Sequence, residues 1–426
     1  MIEGGEEEER RQKLPSVARQ LGPGLITGAA DDDPSGIATY SQAGAQFGYG
    51  LMWTMLLTYP LMSAVQLISA HIGRVTGRGL AANMLRLLPR WLVALLVSLL
   101  FVANTINIGA DLSAMGAAAQ MVAGGNRHVF TVGLALFSLL LQVFIPYSRY
   151  ARILKWLTLS LLAYAAVAIA VKVDWAAAAH GLVIPRIEGK EAITTIVALF
   201  GTTISPYLFF WQTSQEVEEI VEDDEAEPLK KAPEQAPREM RRMRIDTLVG
   251  MGFSNLIALA IIVASAATLH ASGKTEIGTA TEAAEALRPV AGDFAFALFA
   301  IGILGTGLLA VPVLAGSTAF AVGDSAGWEC GLEYKVREAR GFYGVIAGAT
   351  LIGVGISWSS VPPITALFWS AVINGFVAVP IMAVMMVLVS HRATMGRFRA
   401  SRILLALGWM GTVVMAAAAA AMIAWN

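Results

Sequence analysis

Charge is scarce in this chain. Asp, Glu, Lys and Arg make up 14% of its 426 residues, where soluble domains carry about 25%, so an ordinary water-soluble globule is excluded. The net charge of −1 is uninformative about nucleic acid, which is not expected as a partner; what informs is where the charges lie along the chain. Cysteine occurs once, at Cys330, so no internal disulfide can form. There are five histidines, none inside the motifs that matter below, and no His/Cys cluster has zinc-site spacing. No phosphate-binding Gly-rich motif is present, which leaves no ATP-driven step. Neither a cofactor nor an enzymatic activity is expected. Residues 1–20, MIEGGEEEERRQKLPSVARQ, are acidic and polar where a cleavable leader is basic and then apolar. They read as a disordered cytoplasmic tail.

What is abundant is hydrocarbon. Hydrophobic residues are 56% of the chain before 41 glycines are counted, and the predicted class is an all-α integral membrane protein. Runs able to cross about 30 Å of hydrocarbon fall at 21–47, 51–72, 91–122, 129–147, 153–171, 191–221, 245–270, 293–322, 342–357, 363–390 and 403–425, about eleven spans in one transmembrane domain, 21–426. Positive charge tests the count. With the N-terminus inside, the inner segments hold four Lys and Arg in the tail, four in 73–90, three in 148–155, six in 222–244, three in 323–340 and four in 391–402. Only Arg127, Lys172, Arg186, Lys190, Lys274 and Arg288 remain for the outer loops, and none falls inside a span. This asymmetry places the N-terminus in the cytoplasm and the C-terminus outside, in a multi-pass protein of a prokaryotic cell membrane.

The charged, proline-containing linker 222–244 reads as flexible and separates two sets of five spans. Repeat one covers 21–172, repeat two 190–390, and 403–425 is an extra span. An odd number of spans per set makes the second an inverted copy of the first, a 5+5 construction common in secondary transporters.

Two of the spans are interrupted. In the first, ADDDPSG places Asp31, Asp32 and Asp33 before Pro34 and Gly36, although one Asp at mid-membrane costs roughly 2.5–3.5 kcal/mol. In the sixth, LFGTTISPYLFFWQ places Gly201, Thr202, Thr203 and Ser205 before Pro206. Proline and glycine break helices at matched positions five spans apart. Irregular backbone at that depth survives only against protein or a water-filled cavity, where free carbonyls can hold a cation. Carboxylates, carbonyls and hydroxyls are ligands for hard divalent ions.

The run LGPGLITGAADDDPSGIATYSQAGAQFGYG resembles the first span of the Nramp family of divalent-metal transporters, whose signature there is Asp-Pro-Gly-Asn followed by a similar QAGAQFGY stretch. The span pattern is similar over nearly the whole chain, and the motif match is concentrated in 21–50. The resemblance implies the leucine-transporter fold, with discontinuous first and sixth helices and the metal between them. The family aspartate maps to Asp33 and the proline to Pro34, but the asparagine ligand becomes Gly36. The sixth-span Met-Pro-His becomes Ser205, Pro206 and Tyr207, and in GADLSAMG, after Asp111, Ala114 replaces a glutamate used for protons. Loss of the thioether removes the preference for softer metals. Loss of side-chain volume at 36 and 205 leads one to expect a wider, oxygen-lined site for a partly hydrated ion. The pattern is closest to the Nramp-related magnesium transporters, which move magnesium and manganese without detectable proton coupling.

The expected metal site is therefore Asp33 first, then Gly36, Thr202, Thr203, Ser205, Asp32 and Asn374. Asp31, Tyr207, Asp111, Gln212, Gln215 and Glu216 are assigned to the pathway or its gates; the glutamines and glutamates, with Glu218 and Glu219, read as a solvated helix end or as an acidic funnel at the inner face. The expected partners are the divalent ion and the lipid bilayer around a monomer. The alternative is a proton-coupled manganese or iron importer that uses Asp31, Asp32 or Asp111. An organic-substrate carrier would be opposed by the carboxylates, and an aspartyl protease would need Asp33 and Asp324 at one depth.

Overall fold

The computed structural model describes residues 27, 28, 30–145, 157–223, 225–332 and 334–425. The tail, the opening turns of the first expected span and the 148–155 segment lie outside the described residues. The described chain is helical with no strand. In hydrocarbon a helix satisfies every backbone group internally, which is why the apolar runs take this form. The principal helices are α1 (Pro34–Phe47), α2 (Trp53–Thr76), α3 (Arg90–Ala123), α4 (Arg127–Phe144), α5 (Leu162–Ala170), α6 (Trp175–Val183), α7 (Gly189–Thr203), α8 (Pro206–Glu222), α9 (Ala236–Thr268), α10 (Ala295–Ala326), α11 (Arg340–Ser357), α12 (Pro363–Ser390) and α13 (Arg402–Trp425).

Nine helical stretches among the described residues are long and apolar enough to cross a membrane, and they coincide with nine of the predicted spans. The other two, the first and the fifth, both run into undescribed residues. The fifth ends in α5, after which the chain bends by 120° into α6. The α7–α8 span is the innermost, with 94% of its most apolar window buried, whereas α4 and α13, at 22% and 28%, lie at the lipid-facing edge.

Both breaks have the same local cause. Asp33 (φ −71°, ψ 170°) and Ser205 (φ −78°, ψ 133°) are extended N-cap residues, each followed by proline at the first helical position. Proline lacks the N–H that this position leaves unused, and it holds its predecessor out of the helical region. The halves are therefore ended and restarted by the sequence itself.

Because lipid tails are as apolar as leucine, helices associate here through close packing at small residues. Gly201 of α7 lies against Ala371 and Gly375 of α12, so near that an added Cβ would sit 2.9 Å from Gly375 Cα. Gly109 of α3 meets Gly353 of α11 in the same way.

The predicted flexible linker is corrected. Ala236 to Arg244 already belong to α9, and the stretch before it is docked: Leu229 N–H donates to Arg74 O (3.1 Å) and Lys230 N–H to Val75 O (3.3 Å). Those carbonyls lie in the last turn of α2 and have no helical donor of their own. Leu229 is fully buried, and Lys230 Nζ caps Ala393 O and Thr394 O. Charge and proline marked this segment as exposed, but its backbone donors complete another helix.

Gly201→Val is expected to lower stability in detergent by about 1–3 kcal/mol through overpacking, read as a fall in melting temperature. Gly344→Val, where no atom stands within 4 Å of an added Cβ, is expected to melt like the unaltered protein.

Candidate metal-transport site

The two breaks meet at the centre of the bundle. Asp33 is 1% exposed, and its carboxylate is shared between two tasks. Oδ1 accepts from Gly36 N–H (2.8 Å) and Ser35 Oγ (2.6 Å), which caps α1. Oδ2 faces Asn107 Nδ2 of α3 and the Tyr207 hydroxyl of α8, both at 3.3 Å. The Tyr207 hydroxyl also stands 3.2 Å from Ala30 O, at the end of the first half-helix. A mid-membrane carboxylate is tolerable only with such a donor shell. The two donors on Oδ2 are long, and this is the oxygen open to exchange.

The other aspartates point elsewhere. Ser254 of α9 donates to Asp31 Oδ2 (2.6 Å) and lies 3.1 Å from Asp32 Oδ1. Asp31 Oδ1 and Asp32 Oδ2 are buried with no hydrogen-bond partner. Among the described residues no three His, Cys, Asp or Glu side chains are grouped to hold a metal. Asp32 thus shares Ser254 with Asp31, and its other oxygen is left without a protein donor. Successive side chains at the end of a helix fan out around its axis, and these two turn toward α9.

On the sixth-span side, Thr202 is buried and its hydroxyl is set against Gly36 and Tyr40: a Cβ at 36 would lie 3.2 Å from Thr202 Oγ1 and 3.2 Å from Tyr40 Cε2. The space expected from glycine at this position is therefore taken up by α7 and Tyr40. At Gly36 the extra room expected of a wide site is not found. Ser205 Oγ donates to Gly201 O (2.8 Å) or Thr202 O (2.9 Å), and Thr203 Oγ1 to Leu199 O (2.8 Å). Hydroxyls at a helix end commonly bond back to the preceding turn; Ser205 thereby serves the free carbonyls at the end of α7, while Thr203 shares the Leu199 carbonyl inside the helix. Asn374 is fully buried on α12 with both amide atoms unpartnered, and Asp111, one turn beyond Asn107, has both carboxylate oxygens unpartnered.

The predicted acidic funnel is also corrected. Gln212 and Glu216 are buried rather than solvated, and Gln215 is half-buried. Thr27 Oγ1 donates to Gln212 Oε1 (2.6 Å), and Gln212 Nε2 stands 3.5 Å from Glu216 Oε1. Arg242 of α9 pairs through Nη2 with Glu216 (2.5 Å) and Glu219 (2.8 Å) and through Nε with Glu239 (2.9 Å), which also holds Arg74 of α2 (3.1 Å). Unpaired carboxylates at this depth would be too costly, and the arginines of α2 and α9 convert them into a tie across three helices. At the opposite end, Gln42 of α1 clasps the 275–277 segment, donating to Thr275 O (3.1 Å) and accepting from Ile277 N–H (3.0 Å). A cavity of about 480 Å³ opens there, lined by Gln42, Glu191, Glu276 and Trp369 among others but by none of the three aspartates.

Sequence reasoning missed Asn107, Ser254, Ser370 and Arg242. A signal existed for the first: Asn104, Asn107 and Asp111 interrupt the apolar run LLFVANTINIGAD at helical spacing, marking one polar face. Asn104 uses that face to bind Leu314 O (3.2 Å), Ser317 Oγ (3.1 Å) and Thr318 Oγ1 (2.8 Å) of α10.

A model of the family described as natural resistance-associated macrophage protein-like, Nramp, matches residues 24–425. Among curated relatives, a protein of Acidiphilium cryptum named divalent metal cation transporter MntH is 28% identical over 388 residues, 88% of this chain and 83% of that one. One of the same name from Deinococcus radiodurans is 28% identical over 299 residues, 68% of this chain and 65% of that one. In fold, the chain is similar to a manganese transporter of Eremococcus coleocola (TM-score 0.73, 17% identity, 96% of this chain and 87% of that one). It is also similar to a nucleobase-cation-symport-1 family transporter solved in a closed conformation (TM-score 0.57, 12% identity, 95% and 92%).

Arg242→Ala leaves Glu216 buried without its cation, a change of about 3–5 kcal/mol against the closed tie. The expected result is faster labelling of a Gln212→Cys probe by a membrane-impermeant thiol reagent, in a Cys330→Ala background. The native Cys330 thiol, pushed up to about 12 by burial and then by Asp324 and Glu218, is expected to react slowly at neutral pH.

Proposed function

Since the chain belongs to the Nramp family, we propose that it carries divalent metal cations across the membrane by alternating access, magnesium first and manganese with it, without proton coupling. The observation that carries the reading is Asp33, a carboxylate held at the meeting point of two broken helices with one oxygen turned to exchangeable donors. The groups around it are oxygens and amides: Tyr207 and Asn107 on the carboxylate, the carbonyl of Ala30 beside the Tyr207 hydroxyl, and Thr202 against Gly36. Such donors suit hard cations, and no thioether stands at 205 to favour a softer one.

Alternating access follows from what holds the ends together. The Arg242 tie and the Gln42 clasp are polar contacts between helices, which can exchange for water as one end opens. Waters kept by magnesium would be accommodated only when α1 and α7 part at Gly36 and Thr202. Tyr207 and Ala114 stand where histidine and glutamate would serve protons, which supports uncoupled movement. The second reading is a proton-coupled manganese importer, favoured by the unpartnered carboxylate oxygens of Asp31, Asp32 and Asp111 and by the names of the relatives. The N-terminus is assigned to the cytoplasm from the Lys and Arg distribution.

Proteoliposomes with a magnesium-sensitive and a pH-sensitive dye read in parallel distinguish the two. The expected result is magnesium influx without acidification, reduced in Asp33→Ala to the level of empty liposomes. Manganese influx with acidification, and no magnesium influx, would replace the proposal with the second reading.

A further inference from the structure

Resting on the reading that Asp33 binds the transported ion, we propose that Asn107 is a second ligand whose amide turns over when the cation arrives. Its Oδ1 then faces the ion beside Asp33 Oδ2, and Ser370 is the partner that allows the turn.

The argument is one of hydrogen-bond accounting. Oδ1 of Asp33 is committed to the N-terminus of α1 through Ser35 and Gly36, which leaves Oδ2 for a metal. Asn107 Nδ2 now donates to that oxygen from 3.3 Å. An N–H cannot keep facing an oxygen whose lone pairs have turned to a cation. An asparagine amide, however, exchanges its oxygen and nitrogen by a half-turn about its last side-chain bond, with almost no change of shape. The half-turn would place an amide oxygen, a good ligand for a hard cation, where the donor now stands.

Such a turn is normally opposed by the amide's other partner. Here that partner works in both senses. Ser370 Oγ of α12 stands 2.8 Å from Asn107 Oδ1 and 2.7 Å from Leu367 O on its own helix. With no ion, the hydroxyl proton goes to Asn107 Oδ1 and Nδ2 goes to Asp33. With the ion, the proton goes to Leu367 O, a serine lone pair accepts from Asn107 Nδ2, and Oδ1 is released to the cation. The oxygen and nitrogen of the Asn107 amide and the Ser370 hydroxyl each keep at least one partner in both arrangements, so the turn itself strips none of them of its partner. The turn supplies from α3 the amide oxygen that Gly36 does not carry. It also ties α1 to α3 and α12 in a way that depends on the ion. Asn374, one turn beyond Ser370, has no hydrogen bond to this chain of groups.

The test is magnesium uptake into proteoliposomes, with the magnesium-dependent rise in melting temperature in detergent as a readout independent of transport. Asn107→Ala is expected to raise the KM for magnesium by about 10–100-fold, the range for loss of a supporting group at a metal site, with a smaller change in maximal rate and with loss of the thermal shift. Ser370→Ala is expected to raise KM less. Asn107→Asp keeps an oxygen at the same place and is expected to hold KM within about threefold and keep the thermal shift. If Asn107→Ala leaves KM and the thermal shift unchanged, the proposal is wrong. If Asn107→Asp is as damaging as Asn107→Ala, the residue serves Asp33 only as a donor and the ligand assignment is overturned. Asp33→Ala separates the two levels: uptake surviving in that variant would remove the underlying reading, whereas its loss alongside an unaffected Asn107→Ala would remove this inference alone. Monodisperse elution of each variant shows that a change in KM is not a folding defect.

Discussion

A carboxylate in hydrocarbon must be surrounded by donors or by a cation, and the centre of this protein is built to meet that condition at Asp33. The two oxygens meet it differently. One is anchored by the start of α1, through Ser35 and Gly36, and cannot leave without uncapping the helix. The other is served from α3 and α8 by donors at 3.3 Å, contacts that a metal ion can replace. The proline after Asp33 is part of the same device, since it ends one half-helix and starts the next where the carboxylate is needed.

Polar groups elsewhere obey the same rule, which gives the bundle its ties. Glu216 is tolerated because Arg242 reaches it from α9, and Glu239 because Arg74 reaches it from α2. The Ser205 hydroxyl at the sixth-span break serves carbonyls that the break exposes. Buried polar atoms without a partner remain at Asp31, Asp32, Asp111 and Asn374, on or beside the broken helices, and also at Gln66, Gln142, Asn255 and Asp324.

Much of the fold was legible because the bilayer imposes simple rules. Span lengths follow from hydrocarbon thickness, and the breaks from Asp33-Pro34 and Ser205-Pro206 at matched positions. The errors arose where one residue's meaning depended on a distant partner. Glu216 looked solvated because Arg242 is 26 positions away, and the linker looked loose because the carbonyls it completes belong to Arg74 and Val75. Glycine at 36 suggested open space, but α7 and Tyr40 move in to fill it.

By itself, then, the sequence determined that the chain crosses a membrane many times, that two spans are broken, and that a carboxylate stands at one break. These are properties of local composition and backbone stereochemistry, which each segment carries alone. Only the tertiary structure decided which oxygen of Asp33 is exchangeable, that Asp31 and Asp32 turn to Ser254, and that Asn107 and Ser370 complete the surroundings of the site. The donors come from helices 74 and 263 positions apart from their acceptors, and a hydrogen bond of about 3 Å is fixed by how helices pack, not by the order of residues along them.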